Sequence, residues 1–287
     1  MELGIALALV MALLKGVQSI YQRRNALDTD EFITAFSSRI FGAPVLLLAI
    51  AFYGVPDLTP NFLLLAVPQS AVIAGTSILI AKAYKASDAS IVTPMFAVSP
   101  ILVLFTSFIM LGEIPDPLGI AGVVLIAVGA YILKIKNSKK LLEPLKKLWH
   151  ERGVQIILAV IAIYSVTANI DKIGVGMTSP VMWPLTVYTL SSIIMLPVMM
   201  KKSPDWKAQI ARDWKPLALL GGIGGLTILL QMMALELTLV SYVISIKRLS
   251  IPVTVILSYY LLNEKKGFAE RILGSALMAL GVILISI

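Results

Sequence analysis

Two adjacent cations, Lys247 and Arg248, lie inside an apolar run that extends from residue 239 to 262. A charge at the centre of a bilayer costs on the order of 2.5–3.5 kcal/mol on insertion scales, so water, a partner or a ligand has to hold it there. The pair sits about eight residues into the run, roughly 12 Å along a helix, too deep for easy escape to a surface. Neighbouring residues diverge by about 100° around a helix, so at least one of the two faces the interior. One reading is an anion-binding group in a cavity. The other is an internal ion pair with Glu236 or Asp171, or snorkelling toward the outer interface. Lys15 stands about two turns from the end of the first apolar run, where it either contacts a solute or snorkels. Arg39 is placed similarly in the second run and is expected to pair with a neighbouring helix. Gln18 and Asn169 fall on matching positions when the sequence is shifted by 151 residues. Their amides either hydrogen-bond a solute or join helices, a bond worth about 0.6 kcal/mol on average. No Asp or Glu lies near the middle of any apolar run; Asp171 and Glu236 stand close to run ends. An antiporter of lipophilic cations needs a buried carboxylate that exchanges protons for its substrate. Cations occupy that place here, which points to an anionic or zwitterionic solute.

The elements that position these residues follow from composition. Of 287 residues, 58% are hydrophobic and 14% charged, and the mean hydropathy is +0.91. Soluble domains carry about 25% charged residues, so the chain is read as an all-α integral membrane protein whose first partner is the lipid bilayer. Ten segments reach the roughly 20 apolar residues that a spanning helix needs. They run approximately over 2–22, 31–54, 61–82, 89–111, 117–135, 154–175, 179–200, 216–236, 239–262 and 268–287. The first lacks a basic leader region and a small-residue cleavage site, so it is read as a retained helix. With no cysteine, disulfides, thiolate metal sites and cysteine nucleophiles are excluded.

The chain also repeats itself. At a shift of 151, Ala83 meets Ala234, Ser99 meets Ser250, Leu111 meets Leu262 and Glu113 meets Glu264; at 152, Gly122 and Gly129 meet Gly274 and Gly281. A Lys-rich stretch, residues 136–153, divides the sequence into residues 1–135 and 154–287, five segments each. Five is odd, so two copies of one plan must enter the membrane from opposite sides as inverted repeats. Nineteen of the 24 basic residues fall in the odd-numbered connections. The positive-inside rule places those connections in the cytoplasm and both termini outside. It also accounts for the net charge of +8 without a nucleic-acid partner.

The run Ala83-Tyr84-Lys85-Ala86-Ser87-Asp88-Ala89-Ser90-Ile91-Val92-Thr93-Pro94, continuing through Ser99-Pro100, Gly112-Glu113 and Gly119 to Gly129, resembles an EamA repeat of the drug/metabolite transporter superfamily. Residues 234–281 resemble the second copy, with Asn263 in place of the glycine before the acid and Ser245 in place of the proline matching Pro94. The resemblance implies a secondary transporter of a small metabolite, working by alternating access in the inner (plasma) membrane of a prokaryote, with export the commoner direction and a monomer or homodimer as the unit. It implies a cavity lined mainly by the first, third, fourth, sixth, eighth and ninth spans, with the fifth and tenth as scaffold. Lys247-Arg248 is also similar to the phosphate-binding pair of the triose-phosphate and nucleotide-sugar branch, which leaves an organophosphate exchanger as an alternative.

Other residues take supporting roles. Glu113 and Glu264 close equivalent helices and are expected to bind helix ends or gates. Pro94, Pro100 and Pro252 free backbone carbonyls and mark cavity walls, hinges or packing kinks. The glycine pairs, seven residues apart on one face, allow close helix contact. Trp183, Tyr242 and Tyr259 are packing aromatics or solute platforms. Residues 137–150 alternate leucines and lysines as an amphipathic helix on the inner leaflet would, or form a solvated linker. They hold His150, the single histidine, and the chain has no HExxH or Asp-rich metal motif, so no enzyme activity and no metal or cofactor is expected. A channel or a lipid scramblase is the rival of another class.

Overall fold

A computed structural model of the chain describes residues 1–24, 29–56, 61–87, 95–134, 151–261 and 268–287. Pro94, Glu264, the segment 137–150 and the side chain of Tyr259 lie outside what is described. The helices are α1 (Glu2–Arg24), α2 (Glu31–Ile40), α3 (Ala43–Tyr53), α4 (Phe62–Ala86), α5 (Ser99–Leu111), α6 (Pro117–Lys134), α7 (Arg152–Met177), α8 (Met182–Lys202), α9 (Trp206–Leu237), α10 (Val240–Lys247), α11 (Ser250–Leu261) and α12 (Phe268–Ser286). A 3-10 turn, Phe96–Val98, leads into α5. Taking α2–α3 and α10–α11 each as one segment, seven segments among the described residues are long and apolar enough to cross a membrane. Three shorter apolar ones accompany them. Large apolar side chains point outward along the bundle, Phe52 at 91% and Leu64 at 77% exposure among them. Such a surface suits acyl chains and not water.

Four segments depart from the continuous helices expected from hydropathy, each time at a proline. A proline ring collides with the carbonyl four residues earlier and offers no N–H. Pro44 accounts for the end of α2 at Ile40, after which Gly42 N–H bonds Arg39 O instead. Pro216 sits three residues after a bend at Asp213, and α9 begins at Trp206, inside the stretch read as a connection. Pro252 faces the carbonyl of Arg248, where α10 gives way to α11. The Arg248 carbonyl is taken by Ile251 N–H, and Leu249 N–H turns to Ile246 O. Pro100 does the same to Phe96, whose carbonyl accepts from Ser99 N–H. The 3-10 turn and the Arg248 break coincide under the 151-residue shift, so each repeat is broken at the same step.

The packing has a two-fold pattern. α1 of the first half packs along α9 of the second, as α7 packs along α4; α1 meets α10 and α11, as α7 meets α5. α6 and α12 form the tightest contact. A Cβ on Gly122 would lie 2.5 Å from Gly281 O, and one on Gly129 would lie 2.6 Å from Gly274 O. The first glycine of one helix faces the last of the other, so the two helices run antiparallel, with backbone touching backbone at both ends of the seam.

Candidate functional site

Lys15, Gln18, Ser38, Tyr188, Gly224, Thr227, Ile228, Gln231 and Lys247 line a cavity of about 150 Å³ between the halves. Helix α1 brings Lys15 and Gln18 to it three residues apart, one turn, and Lys15 Nζ donates to Gln18 Oε1 at 2.8 Å. Gln18 Nε2 in turn donates to Leu220 O at 3.3 Å, tying the pair to α9. Gly16 lets α1 lie against α11, since a Cβ there would run into Val253. From the other half, the last turn of α10 supplies Lys247, whose Nζ donates to Gln231 Oε1 at 2.7 Å. Each ammonium is therefore held by one carboxamide oxygen, leaving further N–H donors for a solute. Neither lysine has a carboxylate partner among the described residues. Glu236, one of the two acids considered for that role, is exposed on the bundle surface.

Arg248 points elsewhere. Its Nη2 donates to Ser99 Oγ at 2.5 Å, and the guanidinium lies 6.0 Å from the centroid of the Phe96 ring. It thus joins the two proline-induced breaks across the halves. Its Nε is buried without a hydrogen-bond partner. Asn169 is fully buried, bonded to Thr106 Oγ1 at 3.0 Å and to Ser165 O at 2.8 Å, and stands apart from the cavity lining. Arg39 pairs with neighbouring helices: Nη2 donates to Ser77 Oγ at 2.7 Å and Nη1 approaches Met195 Sδ at 3.5 Å. Pro100 and Pro252 stay outside the lining as well and act through the breaks. The cavity draws on the second and seventh spans through Ser38 and Tyr188, and among the described residues none from the third, fourth or sixth lines it. Those three are closed on one another by Asn169–Thr106 and by Gln69, whose Nε2 donates to Asp171 Oδ1 at 2.9 Å.

Gln231, Tyr188, Ser38 and Thr227 were not apparent from the sequence. Gln231 did leave a signal, as a lone carboxamide inside the apolar run of α9. It has no counterpart under the repeat shift, the criterion that singled out Gln18 and Asn169.

Glu113 closes the far end of the bundle. Its Oε1 accepts from Lys172 Nζ at 2.6 Å and its Oε2 from the Val240 N–H at the start of α10 at 2.9 Å. Lys172 also donates to Thr238 O at 2.8 Å. One carboxylate thus binds the α5–α6 connection to α7 and to the N-terminus of α10, where a negative group is favoured by the helix dipole. Beside it, Asp116 accepts from Gly119 N–H and Tyr242 O–H. The Gly119 hydrogen bond, with that of Tyr242, holds the Asp116 carboxyl below its usual range. Glu113→Gln keeps an acceptor for Val240 but leaves the half-buried Lys172 ammonium with Thr238 O and no countercharge. A loss of about 1–3 kcal/mol is expected, read as a lower melting midpoint of the solubilised protein, with Glu113→Ala lower still.

Among the described residues the chain is an all-helical, apolar-faced bundle with a polar cavity between its halves, the form of a helical membrane protein. The chain belongs to the EamA-like transporter family, whose sequence model matches residues 2–135 and 151–287. It is accordingly an integral membrane protein of the drug/metabolite transporter type. A solved crystal structure superposes with a TM-score of 0.75 over 99% of this chain and 96% of that one, at 13% identity, a likeness of fold. A comparison with curated proteins found no match.

Proposed function

We propose that this chain is a secondary transporter of a small anionic or zwitterionic metabolite, cycling by alternating access. The observation that carries the reading is the convergence of Lys15 and Lys247, one from each half, on a cavity whose lining, among the described residues, contains two carboxamides and no carboxylate. Two ammonium groups with free donors favour carboxylate, phosphate or sulfonate oxygens and repel a cation. In this reading the chain spans the inner membrane of a prokaryote ten times, as inverted repeats over residues 1–135 and 154–287 joined by the basic linker 136–153. Both termini are extracytoplasmic, and net movement is export. Breaks at equivalent steps of the two halves, joined by Arg248, support rocking about a shared midplane.

Counterflow in proteoliposomes tests this. Preloading with an organic anion should accelerate entry of the same labelled anion. Flux without that trans-stimulation would identify a channel or scramblase, and a chemically altered solute an enzyme. Phosphorylated solutes alone giving trans-stimulation would favour the organophosphate exchanger.

A further inference from the structure

The side chains around the cavity sort unevenly into donors and acceptors. An ammonium group only donates, so the oxygen of each carboxamide is the end turned to its lysine, Gln18 Oε1 to Lys15 and Gln231 Oε1 to Lys247. What those amides have left is N–H. Gln231 Nε2 has no partner among the described residues, and Gln18 Nε2 donates to Leu220 O alone. The Tyr188 hydroxyl is likewise without a hydrogen bond among the described residues. Ser38 and Thr227 give their protons to Ala35 O and Ile223 O, at 2.9 Å and 2.7 Å, and keep only hydroxyl lone pairs for a solute.

Charge and volume narrow the solute further. Two ammoniums arrive from opposite halves, with no carboxylate in the described lining. Arg39, Arg248 and Asp171 are held outside that lining by hydrogen bonds of their own; two are positive and one negative, so together they cancel neither lysine. A monoanion would leave one buried cation uncompensated, a cost that a second negative group removes. A zwitterion suits the site less, because its ammonium would meet two others and find hydroxyl lone pairs in place of a carboxylate. The cavity of about 150 Å³ holds about five waters at roughly 30 Å³ each, well under the ~300 Å³ at which drug-sized ligand sites begin. Each lysine is anchored to its own carboxamide on its own helix, Gln18 of α1 and Gln231 of α9. That arrangement fits two separate acid groups better than one doubly charged group shared between them.

We propose that the cavity selects a compact dicarboxylate without an amino group, one carboxylate at Lys15 and the other at Lys247. The assignment rests on the transport reading given above and narrows it to one solute class.

Thermal-shift titration of the full chain in detergent, at constant ionic strength, reads binding without transport. The probes are malonate, succinate and glutarate, the longer suberate with the same charge, the monoanion butyrate, the amino dicarboxylate aspartate, and methyl phosphate. At least one of the three short dicarboxylates should bind about 30-fold or more tightly than butyrate or aspartate, the difference expected for one charged partner gained or lost. Suberate and methyl phosphate should bind weakly. In Lys15→Gln and in Lys247→Gln the advantage over butyrate should vanish, because only one carboxylate still has its cation. No response to any short dicarboxylate overturns the proposal. So does butyrate, aspartate, suberate or methyl phosphate matching the best of them. A response kept by the double variant Lys15→Gln, Lys247→Gln is a salt effect and overturns it too. If a variant fails to fold, the wild-type ranking decides, since suberate controls for charge. Short dicarboxylates that bind without any counterflow would leave the site intact and overturn the transport reading. Counterflow of butyrate or aspartate with no dicarboxylate bound would do the reverse.

Discussion

Lys247→Gln is expected to remove anion counterflow while the protein still inserts, purifies and melts near the wild-type midpoint. The ammonium lies on the cavity wall with one hydrogen bond, to Gln231, and glutamine can replace that bond. A solute anion meeting the wall would instead lose a charge-assisted partner in a site of low dielectric. Truncating one member of such a pair costs on the order of 2–5 kcal/mol, a fall in affinity of about 30-fold or more. Lys15→Gln should give a loss of the same kind, and the double variant no measurable exchange. Arg248→Gln should behave differently. Arg248 binds Ser99 and stacks near Phe96 outside the cavity lining, so its removal loosens the junction of the two breaks. The main effect should be a lower melting midpoint. If Lys247→Gln exchanges anions at the wild-type rate, the cavity is not the solute site.

The glycine seam predicts the largest effect on stability. In Gly122→Val or Gly129→Val the new Cβ would lie 2.5–2.6 Å from a carbonyl oxygen of α12, a backbone atom that cannot rotate away. α6 and α12 would have to separate, and the cost of overpacking, typically about 1–3 kcal/mol, falls here on backbone and so exceeds that range. Loss of the monodisperse peak in size-exclusion chromatography is the readout. Gly75→Ala and Gly222→Ala are the controls, because a Cβ at either position meets nothing within 4 Å. They should be neutral or slightly stabilising through helix propensity, by up to about 1 kcal/mol. Equal damage from control and seam substitutions would show that the α6–α12 contact is not what sets the cost of a side chain at these glycines.

Much was legible in the linear chain because the membrane makes periodicity simple. A span must be apolar for about twenty residues, so the segments, the repeat and the basic connections stand out without any knowledge of contacts. The seven-residue glycine spacing marked the α6–α12 seam for the same reason: a regular helix returns a residue to nearly the same face every two turns. Side-chain direction across a proline break is not regular. Lys247 and Arg248 are neighbours in one apolar run, and composition alone treats them alike. The break that Pro252 imposes at Arg248 sends one toward the cavity and the other to Ser99 of the opposite repeat. Asn169 matched Gln18 by position yet was drawn into the α5–α7 contact, while Gln231, which nothing in the repeat distinguishes, faces Lys247. The sequence by itself determined the number of copies, their apolar faces and the cations that need a purpose. Only the tertiary structure decided which of those cations meet, because that depends on how the two halves are set against each other, and no spacing within one half records it.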